Sequence, residues 1–238
     1  MSRRARELHE NQRPSKKKIK SKFMEERDLP PLLPLSDRQD DYLKALRTSQ
    51  QVIVMGPAGT GKTHIAGTYA ADQLRLRRVE KIYVTRPNVP GGRSLGFFPG
   101  TMDEKIAPWV VPLMETIKDR IGAGALEVAL KNGDIEIVPF EVMRGRTFKN
   151  CIVILDEAQN TLAAEIKMFL TRIGENCQVI INGDISQSDL KETSGLRSVL
   201  HMIKSQFLPV PIIEFTVDDI VRSGICEMWV KAFDAAKI

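Results

Sequence analysis

Short apolar runs alternate with longer amphipathic stretches along most of this chain. The runs hold four or five residues and are rich in Val, Ile and Leu, as buried parallel strands are. They predict strands at 51–55, 81–85, 135–138, 151–155, 178–182 and 212–215. The amphipathic stretches predict helices from about Ser36 or Asp37, and at about 62–77, 102–121, 125–131, 162–173, 194–205 and 220–236. Helices between parallel strands cover both faces of the sheet, so the pattern predicts a three-layer α/β fold.

The N-terminal segment has a different character. Residues 1–22 hold nine basic and two acidic side chains and almost no apolar ones, so this segment cannot bury enough surface to fold alone. Its excess of positive charge exceeds the +5 of the whole chain, so the remainder is slightly negative. Prolines at 30, 31 and 34 follow. We therefore expect a basic, disordered tail over 1–34 and one folded domain over 35–238.

The tail has two possible roles that the sequence does not separate. A run of lysines and arginines can neutralise phosphates on a nucleic acid without reading its sequence. It can equally be a solvated tail with no dedicated partner.

Several protein classes do not fit the composition. No apolar run reaches the roughly 18 residues needed to span a bilayer, and the N-terminus leads into polar residues instead of a secretory signal. The three cysteines are odd in number and widely spaced, so they form no disulfide framework or paired metal-ligand pattern. We expect a cytoplasmic protein with no membrane association.

The segment after the first predicted strand carries the clearest chemistry. Gly56-Pro57-Ala58-Gly59-Thr60-Gly61-Lys62-Thr63 matches a phosphate-binding loop between a strand and a helix, which is the setting that such a loop requires. Its backbone N–H groups and the helix N-terminus bind phosphate oxygens. Lys62 should reach the β- and γ-phosphates of ATP, and the Thr63 hydroxyl should bind Mg²⁺. The predicted ATP contacts are Gly56, Pro57, Ala58, Gly59, Thr60, Gly61, Lys62, Thr63 and His64.

Two carboxylates follow the aliphatic strand at 151–155. Asp156 is predicted to hold Mg²⁺, and Glu157 to act as general base toward the attacking water. Ligands bind at the carboxyl ends of parallel strands, which is where both residues lie. Gln187 follows the strand at 178–182 and is predicted to sense the γ-phosphate or position water.

With these motifs in hand, residues 35–235 resemble the PhoH-like family of P-loop ATPases, which is similar to the first motor domain of superfamily 1 helicases. The resemblance implies a RecA-like P-loop NTPase fold with a mostly parallel sheet. The motifs that carry it are Ser36-Asp37-Arg38-Gln39, the phosphate-binding loop, Thr85-Arg86-Pro87, Leu95-Gly96-Phe97-Phe98-Pro99-Gly100, Leu155-Asp156-Glu157-Ala158-Gln159-Asn160, Gly183-Asp184 with Gln187-Ser188-Asp189-Leu190, and Val217-Asp218-Asp219-Ile220-Val221-Arg222.

The resemblance also implies roles for residues that local pattern does not distinguish. Gln39 resembles the helicase glutamine that reads the adenine edge, and Thr85 and Arg86 resemble a motif that contacts the nucleic-acid backbone. Phe97 and Phe98 are candidates for stacking on bases, or else anchor their loop in the core. An arginine finger, which stabilises charge on the transferring phosphoryl group, is assigned to Arg222, with the alternatives Arg144, Arg146 and Arg172.

The length of the predicted domain bears on assembly. About 200 residues are one motor domain, whereas a monomeric helicase places ATP between two. We therefore expect a homo-oligomeric ring, plausibly a hexamer, with Arg222 acting in trans. The expected activity is Mg²⁺-dependent ATP hydrolysis, for which the resemblance implies a coupling to binding or unwinding of RNA or single-stranded DNA. The alternative is an ATP-driven regulator or remodeller of protein partners.

Overall fold

The structure, a computed structural model, describes residues 29–87, 102–190, 193–221 and 224–236. Strands and helices alternate through these residues. The strands are β1 (Gln51–Met55), β2 (Lys81–Thr85), β3 (Ile135–Ile137), β4 (Cys151–Leu155), β5 (Cys177–Gly183) and β6 (Ile212–Glu214). The helices are α1 (Asp37–Thr48), α2 (Lys62–Arg75), α3 (Met102–Ile121), α4 (Ala123–Asn132), α5 (Ala163–Leu170), α6 (Gly195–Ser205) and α7 (Gly224–Ala236).

The six strands form one sheet in the order β3-β2-β4-β5-β1-β6, and every neighbouring pair is parallel. The carboxyl ends of all strands therefore meet at the same edge. β5 lies between β1 and β4, so the strand that leads into the phosphate-binding loop and the strand that leads into Asp156 are next-nearest neighbours. The predicted parallel α/β sheet is confirmed.

Successive side chains of the strands point alternately to the two faces of the sheet and form one apolar layer on each face. In β4 all five residues are buried; Ile152 and Ile154 join the cluster that contains α1 to α4, while Val153 joins the one that contains α5 and α6. Successive side chains of a strand point to opposite faces, so a strand buried on both faces has no polar position. The sheet is thus covered on both sides, which confirms the three-layer prediction.

Two helices end or begin at residues other than those predicted, and non-helical hydrogen bonds form at both places. The helix predicted to reach residue 173 ends at Leu170, because the Phe148 N–H donates to the Arg172 carbonyl at 2.9 Å and Phe148 pairs with Ile173 as a short bridge. The last helix begins at Gly224 and not at residue 220. Before it, Val217–Asp219 forms a single 3-10 turn, in which Asp219 accepts a hydrogen bond from the Thr216 N–H.

The start of α6 packs against the chain that leaves β4. The Gly195 N–H donates to the Thr161 carbonyl at 2.7 Å, and a Cβ added to Gly195 would lie 2.6 Å from the Leu162 carbonyl oxygen. Real Cβ atoms do not approach oxygen so closely, so only glycine fits without a backbone shift. The contact fixes the segment that follows Asp156 and Glu157 against the second helical layer.

We expect Gly195→Ala to lower the free energy of unfolding by about 1–3 kcal/mol, because overpacking against backbone forces a local shift. Gly124→Ala in α4 is the matched control, since no heavy atom lies within 4 Å of the added Cβ. That change should be neutral or stabilise the protein by up to about 1 kcal/mol, the difference in helix propensity. Urea denaturation of both variants tests the packing; equal stabilities would contradict it.

Candidate nucleotide-binding and hydrolysis site

The phosphate-binding loop joins β1 directly to α2 and depends on its glycines. Gly56 has φ 137° and Gly61 has φ 89°, both in the left-handed half of the map that favours glycine. A Cβ on Gly56 would lie 2.5 Å from the Phe215 carbonyl oxygen, and one on Gly61 would lie 2.8 Å from Nε2 of Gln39. Neighbouring segments therefore pack tightly around the loop backbone.

Gln39 of α1 is hydrogen-bonded to the backbone of this loop. Its Nε2 donates to the Thr60 carbonyl at 3.0 Å, its Oε1 accepts from the Leu35 N–H at 2.9 Å, and the side chain is only 3% exposed. Both ends of the amide are thus bonded to protein. The structure places Gln39 against the loop backbone, and the adenine contact predicted for it stays a prediction.

The ammonium of Lys62 lies over the loop. Its Nζ donates to the Gly56 and Pro57 carbonyls at 2.5 and 2.8 Å, so the positive charge sits within the curve of the loop. Beside it, the Thr63 hydroxyl donates to the carboxylate of Asp156 at 3.3 Å. This contact joins residues 93 positions apart and places the loop directly beside the acidic strand end.

Asp156 is half-buried at the carboxyl end of β4. Burial raises the pKa of its carboxyl above the ordinary value, repulsion from Glu157 raises it further, and the charge of Arg86 partly offsets both. A desolvated carboxylate whose pKa is raised beside a second acid is typical of a functional site.

The oxygen atoms here fit Mg²⁺, a hard cation that prefers hydroxyl, carboxylate and phosphate oxygens. Thr63 and Asp156 supply two donors, and Oδ2 of Asp184 is buried with no hydrogen-bond partner among the described residues. No group of three or more His, Cys, Asp or Glu side chains in the described ranges could hold a metal by itself. A Mg²⁺ ion held here would complete its coordination with phosphate oxygens and water.

Glu157 follows with an unusual backbone. Its φ of 56° is left-handed, which costs a non-glycine residue free energy and is common at functional sites. Its Oε2 accepts from Gln159 Nε2 at 2.5 Å, and its Oε1 lies 4.0 Å from an Arg86 nitrogen. The Oε1 of Gln159 accepts in turn from the Asp184 N–H at 2.9 Å. Gln159 thus connects the ends of β4 and β5.

A single 3-10 turn, Ile185–Gln187, follows β5. Asp184 caps it, since its Oδ1 accepts from the N–H and the hydroxyl of Ser186 at 3.0 and 2.6 Å. Gln187 thereby faces the same cleft as the loop and the two acids. The predicted sensor residue is thus brought to the site.

A cleft of about 410 Å³ contains these groups. It brings together most of the residues predicted to act on ATP. Its walls are Ala58, Gly59, Gly61, Lys62, Thr63, His64, Arg86, Pro112, Asp156, Glu157, Gly183, Asp184, Gln187 and Val221.

Of the remaining predicted site residues, some do not line this cleft and others fall in parts of the chain that the structure does not describe. Thr85 is fully buried at the end of β2, where its side chain faces no open surface. Phe97, Phe98 and Arg222 lie outside the described residues, so their predicted roles stay predictions. Gln159, which the sequence marks only as part of a motif, is a further functional candidate, because its buried amide bonds both Glu157 and the Asp184 N–H.

The sequence of most of the chain is similar to that of known proteins. A sequence profile described as PhoH-like protein matches residues 31–234. The chain belongs to the PhoH-like protein family. It is 44% identical over 211 residues to Protein PhoH of Escherichia coli K12 and 42% identical over 198 residues to the PhoH-like protein of Bacillus subtilis 168. The matches cover 87% and 82% of this chain but 59% and 62% of those relatives, so the chain spans about three fifths of their length.

The fold has a solved counterpart. The large terminase from a thermophilic bacteriophage superposes with a TM-score of 0.52 at 12% identity, over 84% of this chain and 50% of that one. Together with the strand order, this likeness confirms the predicted RecA-like P-loop NTPase fold. Among the described residues, no helix is long and apolar enough to cross a bilayer.

The raised pKa of Asp156 has a consequence for stability. Because the folded-state pKa lies above the unfolded one, the folded protein binds more protons in the interval between them, and stability falls as pH rises through it. We expect Asp156→Asn to remove this loss and to raise the free energy of unfolding of the ligand-free protein by about 0.5–2 kcal/mol near neutral pH.

Urea denaturation from about pH 4 to about pH 8 measures the effect, since the interval begins near the ordinary Asp pKa of about 3.9. The gap between Asp156→Asn and wild type should widen as pH rises. Asp41→Asn, which removes an exposed carboxylate of α1, controls for the change in net charge. A difference in the free energy of unfolding between Asp156→Asn and wild type that does not change with pH would contradict the raised pKa of Asp156.

Proposed function

We propose that this protein binds ATP with Mg²⁺ and hydrolyses it, and that hydrolysis is coupled to binding of single-stranded RNA or DNA. The observation that supports hydrolysis is the meeting of Lys62, the Thr63–Asp156 pair and Glu157 in one cleft of about 410 Å³. Family membership and the P-loop NTPase fold are consistent with it.

Each side chain has a role in this proposal. Lys62 exchanges its loop carbonyls for the β- and γ-phosphate oxygens, while Thr63 and Asp156 hold Mg²⁺, which offsets phosphate charge. Glu157 accepts the proton of the attacking water as general base. Gln187 contacts the γ-phosphate side of the cleft and reports its state.

Two features support a nucleic-acid substrate. The tail over 1–22 carries nine basic residues, a charge that attracts any phosphate backbone. Arg86 reaches the cleft from the end of β2, immediately before the segment in which the sequence predicts nucleic-acid contacts. A reducing cytoplasm, where both buried cysteines of β4 and β5 remain thiols, is the proposed location.

We expect wild-type protein with Mg²⁺ to hydrolyse ATP, and single-stranded RNA to raise its kcat. Lys62→Ala should abolish turnover, and Glu157→Gln should bind ATP but lower kcat by roughly 10²-fold or more, as loss of a general base does. A coupled phosphate-release assay measures both, with Lys149→Ala, a remote surface change, as the control. Full hydrolysis by Lys62→Ala would refute the site.

The same assay separates the two functional classes. Stimulation by RNA should fall steeply with salt, and deletion of residues 1–22 should flatten that dependence if the tail binds phosphates. Absence of stimulation by RNA or single-stranded DNA at low salt would favour the alternative, an ATP-driven regulator or remodeller of protein partners. If deletion of residues 1–22 leaves the salt dependence of RNA stimulation unchanged, the tail does not bind the RNA phosphates.

We also propose that the active form is a closed homo-oligomeric ring, such as a hexamer, in which Arg222 reaches the cleft of a neighbour. α7 supports this, because one side of it exposes Ile225, Met228, Trp229 and Phe233, with Ile225 73% and Trp229 56% exposed. An apolar groove of about 470 Å³ lies between α5 and α6 on the same chain. Two different apolar surfaces on one chain allow head-to-tail contacts, and such contacts form a ring when the rotation between subunits closes.

We expect light scattering with ATP and Mg²⁺ to give a mass of several subunits, and Trp229→Glu to reduce it toward the monomer. ATPase per subunit should then fall by roughly 10²-fold or more, since arginine fingers contribute about 10³–10⁵. Leu130→Glu, which changes an exposed apolar residue of α4, is the matched control. A fully active monomer would refute the ring and leave the α7 surface to a different protein partner.

A further inference from the structure

The carboxylate of Glu157 is held from two sides by contacts of unequal strength. Gln159, which is buried, donates to Oε2 at 2.5 Å. Arg86 lies 4.0 Å from Oε1, and the two side chains are 19% and 37% exposed. An ion pair at this distance and exposure is weak, whereas Gln159, a buried residue, donates a direct hydrogen bond. The arginine contact is therefore the one that a competing anion can displace.

The order of the strands places these partners on opposite sides of Glu157. Gln159 accepts from the Asp184 N–H at the end of β5, whereas Arg86 follows β2, and these two strands pair with opposite edges of β4. Lys62 follows β1, which lies beyond β5. The Asp156 N–H donates to the Thr85 carbonyl at 3.0 Å and ties the ends of β2 and β4 together. A contact with Arg86 thus draws Oε1 away from the side where the phosphate-binding loop lies.

A phosphodiester is the anion that suits Arg86 best. A guanidinium gives a phosphate two parallel charge-assisted hydrogen bonds, which the long contact to Glu157 does not match. β2 and β3 form the outer part of the sheet on this side, away from the nucleotide loop. Among the strands whose ends line the cleft, β2 is the one farthest in the sheet from the phosphate-binding loop, so Arg86 lies at the side of the cleft opposite to Lys62.

We infer that Arg86 is a positioning residue that couples nucleic-acid binding to hydrolysis. Without nucleic acid, its charge attracts Oε1 of Glu157 and turns the general base from the attacking water. When a phosphate of single-stranded RNA binds Arg86, the carboxylate of Glu157 is released from the arginine. It remains bonded to Gln159 and turns back toward the cleft. The coupling rests on the proposed ATPase function but adds the residue that links the two ligands.

The test is steady-state ATPase kinetics of Arg86→Ala with and without saturating poly(U) RNA. Release of Glu157 should raise basal kcat several-fold at an unchanged KM for ATP, and the stimulation factor should fall to about one, which means no coupling. Arg86→Lys keeps the charge but loses the bidentate fork, so it should restore part of the coupling. Fluorescence anisotropy with labelled oligo(U) establishes that the RNA is saturating for each variant.

Lys149→Ala is the control, since it removes one positive charge beside Glu175 at the amino end of β4, opposite to Arg86. It should keep the wild-type stimulation factor. Undiminished stimulation of Arg86→Ala overturns the inference, and so does wild type that hydrolyses ATP without responding to RNA, although the ATPase proposal then stands. A lower basal kcat with normal stimulation assigns Arg86 to the γ-phosphate instead. A protein with no hydrolysis at all overturns both proposals.

Discussion

The parallel pairing of β1, β5 and β4 determines where the charged groups of the cleft lie. Because the three strands run in the same direction, Met55, Gly183 and Leu155 end at one edge, and whatever follows each strand meets there. The 3.3 Å contact between Thr63 and Asp156 follows from this register and not from any local sequence preference. A shift of one residue in β4 would send its carboxylates to other positions and separate Asp156 from Thr63.

Function and stability oppose each other at this edge. The first N–H groups of α2 have no helical partners, which suits them to phosphate, and the partly desolvated acids are suited to a cation. Both features cost free energy in the ligand-free protein. The left-handed Glu157 adds backbone strain. The fully apolar β4, buried on both faces, is the rigid element that holds these unfavourable groups in place.

Local pattern was sufficient for part of the site. The glycine spacing, the aliphatic run of β4 and the paired acids predicted the loop and its carboxylate partners, because strand, loop and helix are adjacent in sequence. The bridge from Gln159 to Asp184 joins residues 25 apart, and the bond from Gln39 to Thr60 joins residues 21 apart. Such contacts depend on which strands pair, and a single sequence shows neither their order nor the direction of a buried amide.

The contacts around Glu157 indicate how a rigid sheet can respond to two ligands. Strand ends cannot move far, since each is paired along its length, so a signal must pass through side chains. Gln159 connects Glu157 to the turn that bears Gln187, and Arg86 connects it to the end of β2. The nucleotide and the second ligand would thus reach one carboxylate from opposite sides. A weak contact on one side and a strong one on the other allow the carboxylate to rotate without disturbing the sheet that positions it.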